Sequence, residues 1–122
     1  MEILITDDSK AMRMIVMRHL RQAGFEDADF YEAGNGIEGL EVVEDHDLDL
    51  ILSDWNMPEM DGYEFLIQLR SRGLEVPFGF VTSENTPDML SKARNAGAMF
   101  FIGKPFTVDI FRETLRAAGV AG

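Results

Sequence analysis

Residues 49–66, DLILSDWNMPEMDGYEFL, carry the reading that decides the fold. An apolar run, Leu50-Ile51-Leu52, ends within two residues on a carboxylate, Asp54. Trp55, Asn56, Met57 and Pro58 then break any regular pattern before helical spacing begins at Asp61. A short apolar run bounded by turn residues predicts a buried strand over 50–53. The spacing beyond it predicts a helix over 61–72, stopped by Gly73. The strand is too short to bury a charge along its length. It reads instead as a stem that presents Asp54 at its end.

The same unit recurs on both sides of this stretch. Ile3-Leu4-Ile5-Thr6 reads as a strand, and Asp7-Asp8-Ser9 offers helix caps. Met12, Ile15, Val16 and Leu20 follow at helical spacing up to Gly24, a natural helix stop. Residues 29–33 read as a strand, and Asn35-Gly36 opens a helix whose apolar face is Ile37, Leu40 and Val43. Residues 77–82 form the fourth predicted strand. Thr86-Pro87-Asp88 then sets a cap, a proline at the first helical position and an acid in the first turn. That helix stops at Gly97. Residues 98–102 form the fifth strand, and Thr107 caps a helix with Val108, Phe111, Leu115 and Ala118 on one face. Strand and helix alternate five times with short connections, which predicts an α/β fold: a parallel sheet covered by helices on both sides.

Composition narrows the function. With 122 residues, one domain and one core are expected, spanning 1–122. The absence of cysteine excludes disulfides and thiolate metal sites. No apolar run is long enough to cross a bilayer, and Met1-Glu2-Ile3-Leu4 has no basic leader, so a cytoplasmic protein without membrane contact is expected. A net charge of -11 argues against nucleic acid as a partner. Most of the acids, such as Glu38, Glu41, Glu44, Asp45 and Asp47, read as a solvated surface.

Ligands of an open parallel sheet bind beyond the carboxyl ends of its strands. Those ends hold Asp7-Asp8, Asp54, Thr82-Ser83 and, after the fifth, Gly103-Lys104-Pro105-Phe106. Each alone has an ordinary role as a helix cap, a loop or a strand-end hydroxyl. Together they aim three carboxylates, a hydroxyl and an ammonium at one edge. Two like charges about 4 Å apart repel by roughly 4 kcal/mol at an effective dielectric near 20. A divalent cation relieves that repulsion, and oxygen donors with room for water suit Mg²⁺. Asp7, Asp8 and Asp54 are the candidate ligands, with the backbone carbonyl of Asn56 as a fourth. Asp54, beside Thr82 and Lys104, is placed to accept a phosphoryl group as a nucleophile.

These stretches, TDDS at 6–9, SDWNMPEMDG at 53–62, VTSE at 81–84 and FIGKPF at 101–106, resemble the receiver domains of two-component response regulators. The single-domain chemotaxis members are the most similar. The resemblance covers essentially the whole chain. It implies a flavodoxin-like doubly wound (βα)5 sandwich with a five-stranded parallel sheet in the order 2-1-3-4-5. It further implies that Asp54 takes its phosphoryl group from a sensor histidine kinase. Asp8 and Asp54 would bind Mg²⁺ directly with the Asn56 carbonyl, and Asp7 through a metal-bound water. Lys104, beside a cis bond to Pro105, would pair with phosphoryl oxygens. Thr82 would turn its hydroxyl onto the phosphoryl group, and Asn56 and Glu84 would tune hydrolysis. Small Ser83 would leave room for the switch aromatic, Phe101, to rotate. The chemotaxis members carry tyrosine there, so Phe101 lacks the hydroxyl that could report the switch.

The resemblance also places the output on the fourth helix, fifth strand and fifth helix. Lys92, Asn95, Met99, Phe101 and Arg112 are the candidates for it, and Met99 serves core packing equally well. The expected partners are the kinase, an effector such as a flagellar motor switch protein, and a phosphatase, acting on a monomer. Trp55 is expected beside the site, partly exposed. A receiver cut from a larger regulator or hybrid kinase is the alternative, against which the start at Met1, two residues before the first strand, weighs. An aspartyl phosphatase would want an acid two residues after its nucleophile, where this chain has Asn56. A flavin carrier would want a hydroxyl-rich phosphate loop where DDSKAM stands. A phosphohistidine carrier on His19 or His46 would be helical throughout, so both histidines read as surface or helix-end residues.

Overall fold

The computed structural model describes residues 1–120. The elements run β1 (Glu2–Thr6), α1 (Lys10–Leu20), β2 (Asp29–Ala33), α2 (Gly36–Asp45), β3 (Leu50–Ser53), α3 (Gly62–Ser71), β4 (Phe78–Thr82), α4 (Pro87–Asn95), β5 (Phe100–Gly103) and α5 (Val108–Ala117). The five strands form one parallel sheet in the order β2-β1-β3-β4-β5, the order the resemblance implied.

The helices begin where the sequence supplies caps. Ser9, Asn35, Asp61, Thr86 and Thr107 each accept a backbone N–H three residues on, at 2.8–3.2 Å. Past Leu20, α1 runs into a wider π-type turn, Arg21–Phe25, where Gly24 at φ 114° breaks the helix. Gly24 is thus the stop that the sequence indicated.

Alternation along the strands splits the interior in two. Ile3 and Ile5 of β1 point to one side, where Val16, Leu20, Phe111 and Leu115 bring in α1 and α5. Leu4 points to the other, packing with Leu40, Phe65, Leu69, Phe78 and Phe80 over α2, α3 and β4. Each side chain of this kind, fully buried, contributes about 1.5–3 kcal/mol. The sheet is therefore held from both faces, and its strand ends are fixed relative to one another.

Two expectations change. The fifth strand starts at Phe100 rather than at residue 98. Gly97 turns at φ 104°, and the Ala98 N–H closes back onto the Ala93 carbonyl at 2.9 Å, so Ala98 still belongs to the end of α4. Ile37 does not join the core; it is 44% exposed. Gly36, Gly39 and Leu40 make the buried face of α2 instead. A Cβ at Gly39 would lie 2.7 Å from the Phe65 ring, so the helix lies too close to α3 for a larger inward residue.

Candidate functional site

β1 and β3 are neighbours, and Thr6 registers with Ser53. The next residue of each strand, Asp7 and Asp54, therefore emerges at the same edge. Ladder-like bonds continue past the strands: Asp7 N–H to the Ala33 carbonyl at 3.0 Å, and Asp54 N–H to the Thr6 carbonyl at 2.8 Å. Oxygens of Asp7, Asp8 and Asp54 all lie within 4.8 Å of one another. Asp7 is buried, Asp54 is half-buried and Asp8 is exposed.

Lys104 reaches this cluster from the loop after β5. Its Nζ donates to Asp7 Oδ2 at 3.1 Å and to Asp54 Oδ2 at 3.3 Å. Only 17% of the Lys104 side chain is exposed, against 6% for Asp7 and 14% for Asp54. These are thus partly desolvated ion pairs, stronger than their surface counterparts. The Lys104–Pro105 bond is cis, as expected. The remaining oxygens of the two acids are also engaged. Asp7 Oδ1 accepts the Ser9 N–H at 2.9 Å, and Asp54 Oδ1 accepts the Trp55 N–H at 2.7 Å.

Thr82 ends β4 and is buried. Its hydroxyl accepts the Glu84 N–H at 3.4 Å, and its carbonyl accepts the Lys104 N–H at 3.0 Å. Asn56, Ser83 and Glu84 are exposed around the rim. Phe101 is half-buried, 5.7 Å from Phe80 and 6.4 Å from Trp55 between ring centres. Trp55 stacks on Tyr63 at 5.3 Å with planes 6° apart. The predicted site residues Asp7, Asp8, Asp54, Thr82 and Lys104 thus share one edge of the sheet. Asn56 lies two residues beyond Asp54 on the same loop, and no hydrogen bond among the described residues holds its side chain.

All three carboxylates are hard oxygen donors, with one ammonium against three negative charges. This donor set fits a hard divalent cation such as Mg²⁺ and does not fit a soft one.

Three features went unread in the sequence. Arg13, on α1, donates from Nη1 to the Asp7 carbonyl at 2.7 Å and from Nε to Glu32 at 2.9 Å. Gly62 donates to the Trp55 carbonyl at 2.8 Å, and any Cβ there would collide with the Asp54 carbonyl. Glu59 sits at φ 68° in a tight turn closed by the Met60 N–H on the Pro58 carbonyl at 2.7 Å. A glycine at the first position of α3, just after a capping aspartate, was the only visible signal for Gly62. The other two depend on contacts that no local pattern announces.

On the predicted output face, Lys92, Asn95 and Met99 are exposed, Met99 at 48%. Arg112 departs from that face: it bonds Asp109 at 2.7 Å and the Gln22 carbonyl at 3.1 Å, which ties α5 back to the end of α1. A cavity of about 190 Å³ lies between α4 and β5, lined by Leu90, Arg94, Met99 and Phe101 among others.

Comparison with known proteins fits this arrangement. Residues 3–116 match the model of the response regulator receiver domain. The chain belongs to the response regulator receiver domain family. As a receiver domain, it is similar to chemotaxis protein CheY1 of Helicobacter pylori, 36% identical over 118 residues and 94% of each chain. It is also similar to CheY-3 of Vibrio cholerae, 36% identical over 94% of this chain and 88% of that one. Among solved structures, V. cholerae CheY4 superposes at a TM-score of 0.85 with 30% identity, covering 96% and 97% of the two chains. The receiver is therefore a response regulator domain of two-component signalling, with the doubly wound fold of its relatives. Among the described residues, no helix is long and apolar enough to cross a membrane.

Proposed function

We propose that this receiver takes a phosphoryl group on Asp54 from a sensor histidine kinase and uses it to switch the α4–β5–α5 face toward an effector. The observation that carries this reading is the reach of Lys104: one ammonium bridges acids 97 and 50 residues away in sequence. Mg²⁺, held by Asp7, Asp8 and Asp54 with the Asn56 carbonyl, would supply charge neutralisation for the transferring phosphoryl oxygens.

The chain's own residues do the rest. A carboxylate oxygen of Asp54 attacks phosphorus; the new P–O bond forms as the P–N bond to the donor imidazole breaks, and the imidazole leaves. Lys104 moves from its carboxylate partners onto phosphoryl oxygens. The Trp55 N–H holds Asp54 in a fixed orientation for attack. Thr82, one strand away, turns its hydroxyl onto the phosphoryl group and leaves the Glu84 amide. Phosphoryl adds roughly two negative charges at this edge. Moving a switch from 1:99 to 99:1 takes about 5.5 kcal/mol, within reach of several charge-assisted bonds. Phe101, now packed beside Phe80 and Trp55, then rotates into the space opened behind Thr82. Without a hydroxyl, it reports by shape and not by a hydrogen bond. Water later hydrolyses the phosphoaspartate, with Asn56 and Glu84 at the rim setting the rate; a phosphatase could act through the same rim.

Chemotaxis is the proposed pathway, with a flagellar motor switch protein as the effector, on the strength of the CheY relatives and of their single-domain length. A cytoplasmic monomer built from one domain over 1–122 is the form proposed. The test is incubation with acetyl phosphate and Mg²⁺, followed by intact mass and Trp55 fluorescence. A mass gain of one phosphoryl group with a fluorescence change is expected. An unmodified protein under conditions that label a known receiver would end this reading. Pull-downs with and without beryllofluoride identify the partner. Capture of a longer chain's output domain, and not of a motor protein, would favour the excised-receiver alternative.

A further inference from the structure

We propose that Arg13 is the positioning residue for Asp8, the exposed carboxylate of the cluster. The proposal rests on the reading of Asp7, Asp8 and Asp54 as a cation site.

Asp8 differs from its two neighbours in how it is held. Asp7 and Asp54 each have both carboxylate oxygens bonded. The Asp8 side chain is exposed, and no hydrogen bond among the described residues restrains it. Its direction is therefore set by its backbone, through the plane of the Asp7–Asp8 peptide. That plane is fixed at the Asp7 carbonyl, and the group that fixes it is the Arg13 guanidinium at 2.7 Å.

Arg13 is itself immobilised. Its side chain is 15% exposed, and Nε is bonded to Glu32 on β2 at 2.9 Å. The guanidinium thus spans a carbonyl and a carboxylate in a fork that a lysine ammonium does not reproduce. Glu32 has a second effect. It neutralises the guanidinium, so that a cation next to Asp7 does not meet an uncompensated positive charge.

Electrostatics and positioning predict opposite signs when the fork is lost. Removing a positive charge near the acids should tighten a divalent cation by Coulomb's law alone. Removing the restraint on the Asp7–Asp8 peptide should weaken it, by about tenfold for an outer residue that orients a ligand. Simple support of α1 against β2 would lower stability and leave cation affinity alone.

The test uses Arg13→Met, which keeps the aliphatic stem, with Arg13→Lys and Glu32→Gln beside it. Mg²⁺ is titrated against Trp55 fluorescence, and amide exchange at Ser9 is measured in metal-free protein. Arg13→Met should weaken Mg²⁺ about tenfold and speed exchange at Ser9. Arg13→Lys should rescue the charge but not the affinity, and Glu32→Gln should give a smaller loss of the same sign. Equal or tighter Mg²⁺ binding by Arg13→Met would overturn the proposal, as would unchanged exchange at Ser9, whose N–H is bonded to Asp7. Should Arg13→Met fold poorly, Arg13→Lys decides: wild-type affinity in it refutes positioning by the fork. A wild-type protein that binds no Mg²⁺ would instead overturn the cation-site reading. The exchange data would then still judge whether Arg13 holds the loop.

Discussion

The two ends of the sheet use the same residue types in opposite ways. At the amino end, Glu2 accepts the Tyr31 hydroxyl at 2.6 Å, Asp49 accepts the Glu2 N–H at 2.7 Å, and His46 lies on the Tyr31 ring at 4.1 Å. Glu2 and Asp49 each have a donor there, from separate groups. At the carboxyl end, Asp7 and Asp54 share one ammonium, and Asp8 has no donor among the described residues. An acid at a strand start reads as a satisfied structural group, while acids converging at strand ends keep a deficit of positive charge. That deficit, and not the number of acids, distinguishes a site from a surface.

The comparison can be broken most severely at Asp54. Asp54→Asn should abolish phosphoryl labelling by acetyl phosphate, measured by intact mass, while the thermal midpoint holds. Full labelling of this variant would move the nucleophile elsewhere. Next in size is Gly62→Ala, whose methyl meets the Asp54 carbonyl. It should cost about 1–3 kcal/mol or more in a denaturant titration, because the obstacle is backbone. Wild-type stability there would mean that the loop over the site yields easily. Lys104→Ala sharpens the contrast in a different direction: it leaves Asp7 and Asp54 without their ammonium. Mg²⁺ should still bind, seen by Trp55 fluorescence, while effector capture in beryllofluoride fails; retained capture would remove Lys104 from the switch.

The smallest effect belongs to the amino end. Tyr31→Phe should leave Mg²⁺ affinity unchanged and barely move the denaturation midpoint. The hydrogen bond to Glu2, with burial and the nearby acids adding to it, raises the Tyr31 phenol above its ordinary value. Its contribution is fully present below the ordinary tyrosine value and is lost as pH rises from there through the raised value. Absorbance titration of a Tyr63→Phe background should therefore place Tyr31 above a free tyrosine. An ordinary value would mean that the bond to Glu2 is absent in solution.

Much of this was legible because the governing signals are local. Caps at Ser9, Thr86 and Thr107, the stop at Gly24 and the apolar runs of β1 and β3 all act within a few residues. The acids of the site were visible for the same reason, since a strand end is a local landmark. Ile37 misled because its apolar character fits a helix face, whereas burial went to glycines that let α2 approach Met60 and Phe65. Arg13 was invisible because its two partners lie just past β1 and on β2, and only folding makes them neighbours. The pairing of strands themselves came from the family resemblance; alternation alone leaves several orders open.

The segment between Asp54 and Gly62 is pinned at both ends. Gly62 lies directly under the Asp54 carbonyl, and the Gly36 N–H holds the Met60 carbonyl at 2.9 Å while the Met60 side chain rests against Gly36. An exposed loop ordinarily tolerates changes in length. This one has no slack: one added residue would have to be expelled through a tight turn already at positive φ. Diversification around the proposed acceptor must then proceed by exchanging outward side chains, such as Asn56 and Glu59, at constant length. Under the proposed function, timing of the signal is then open to point mutation here, whereas insertion is closed off.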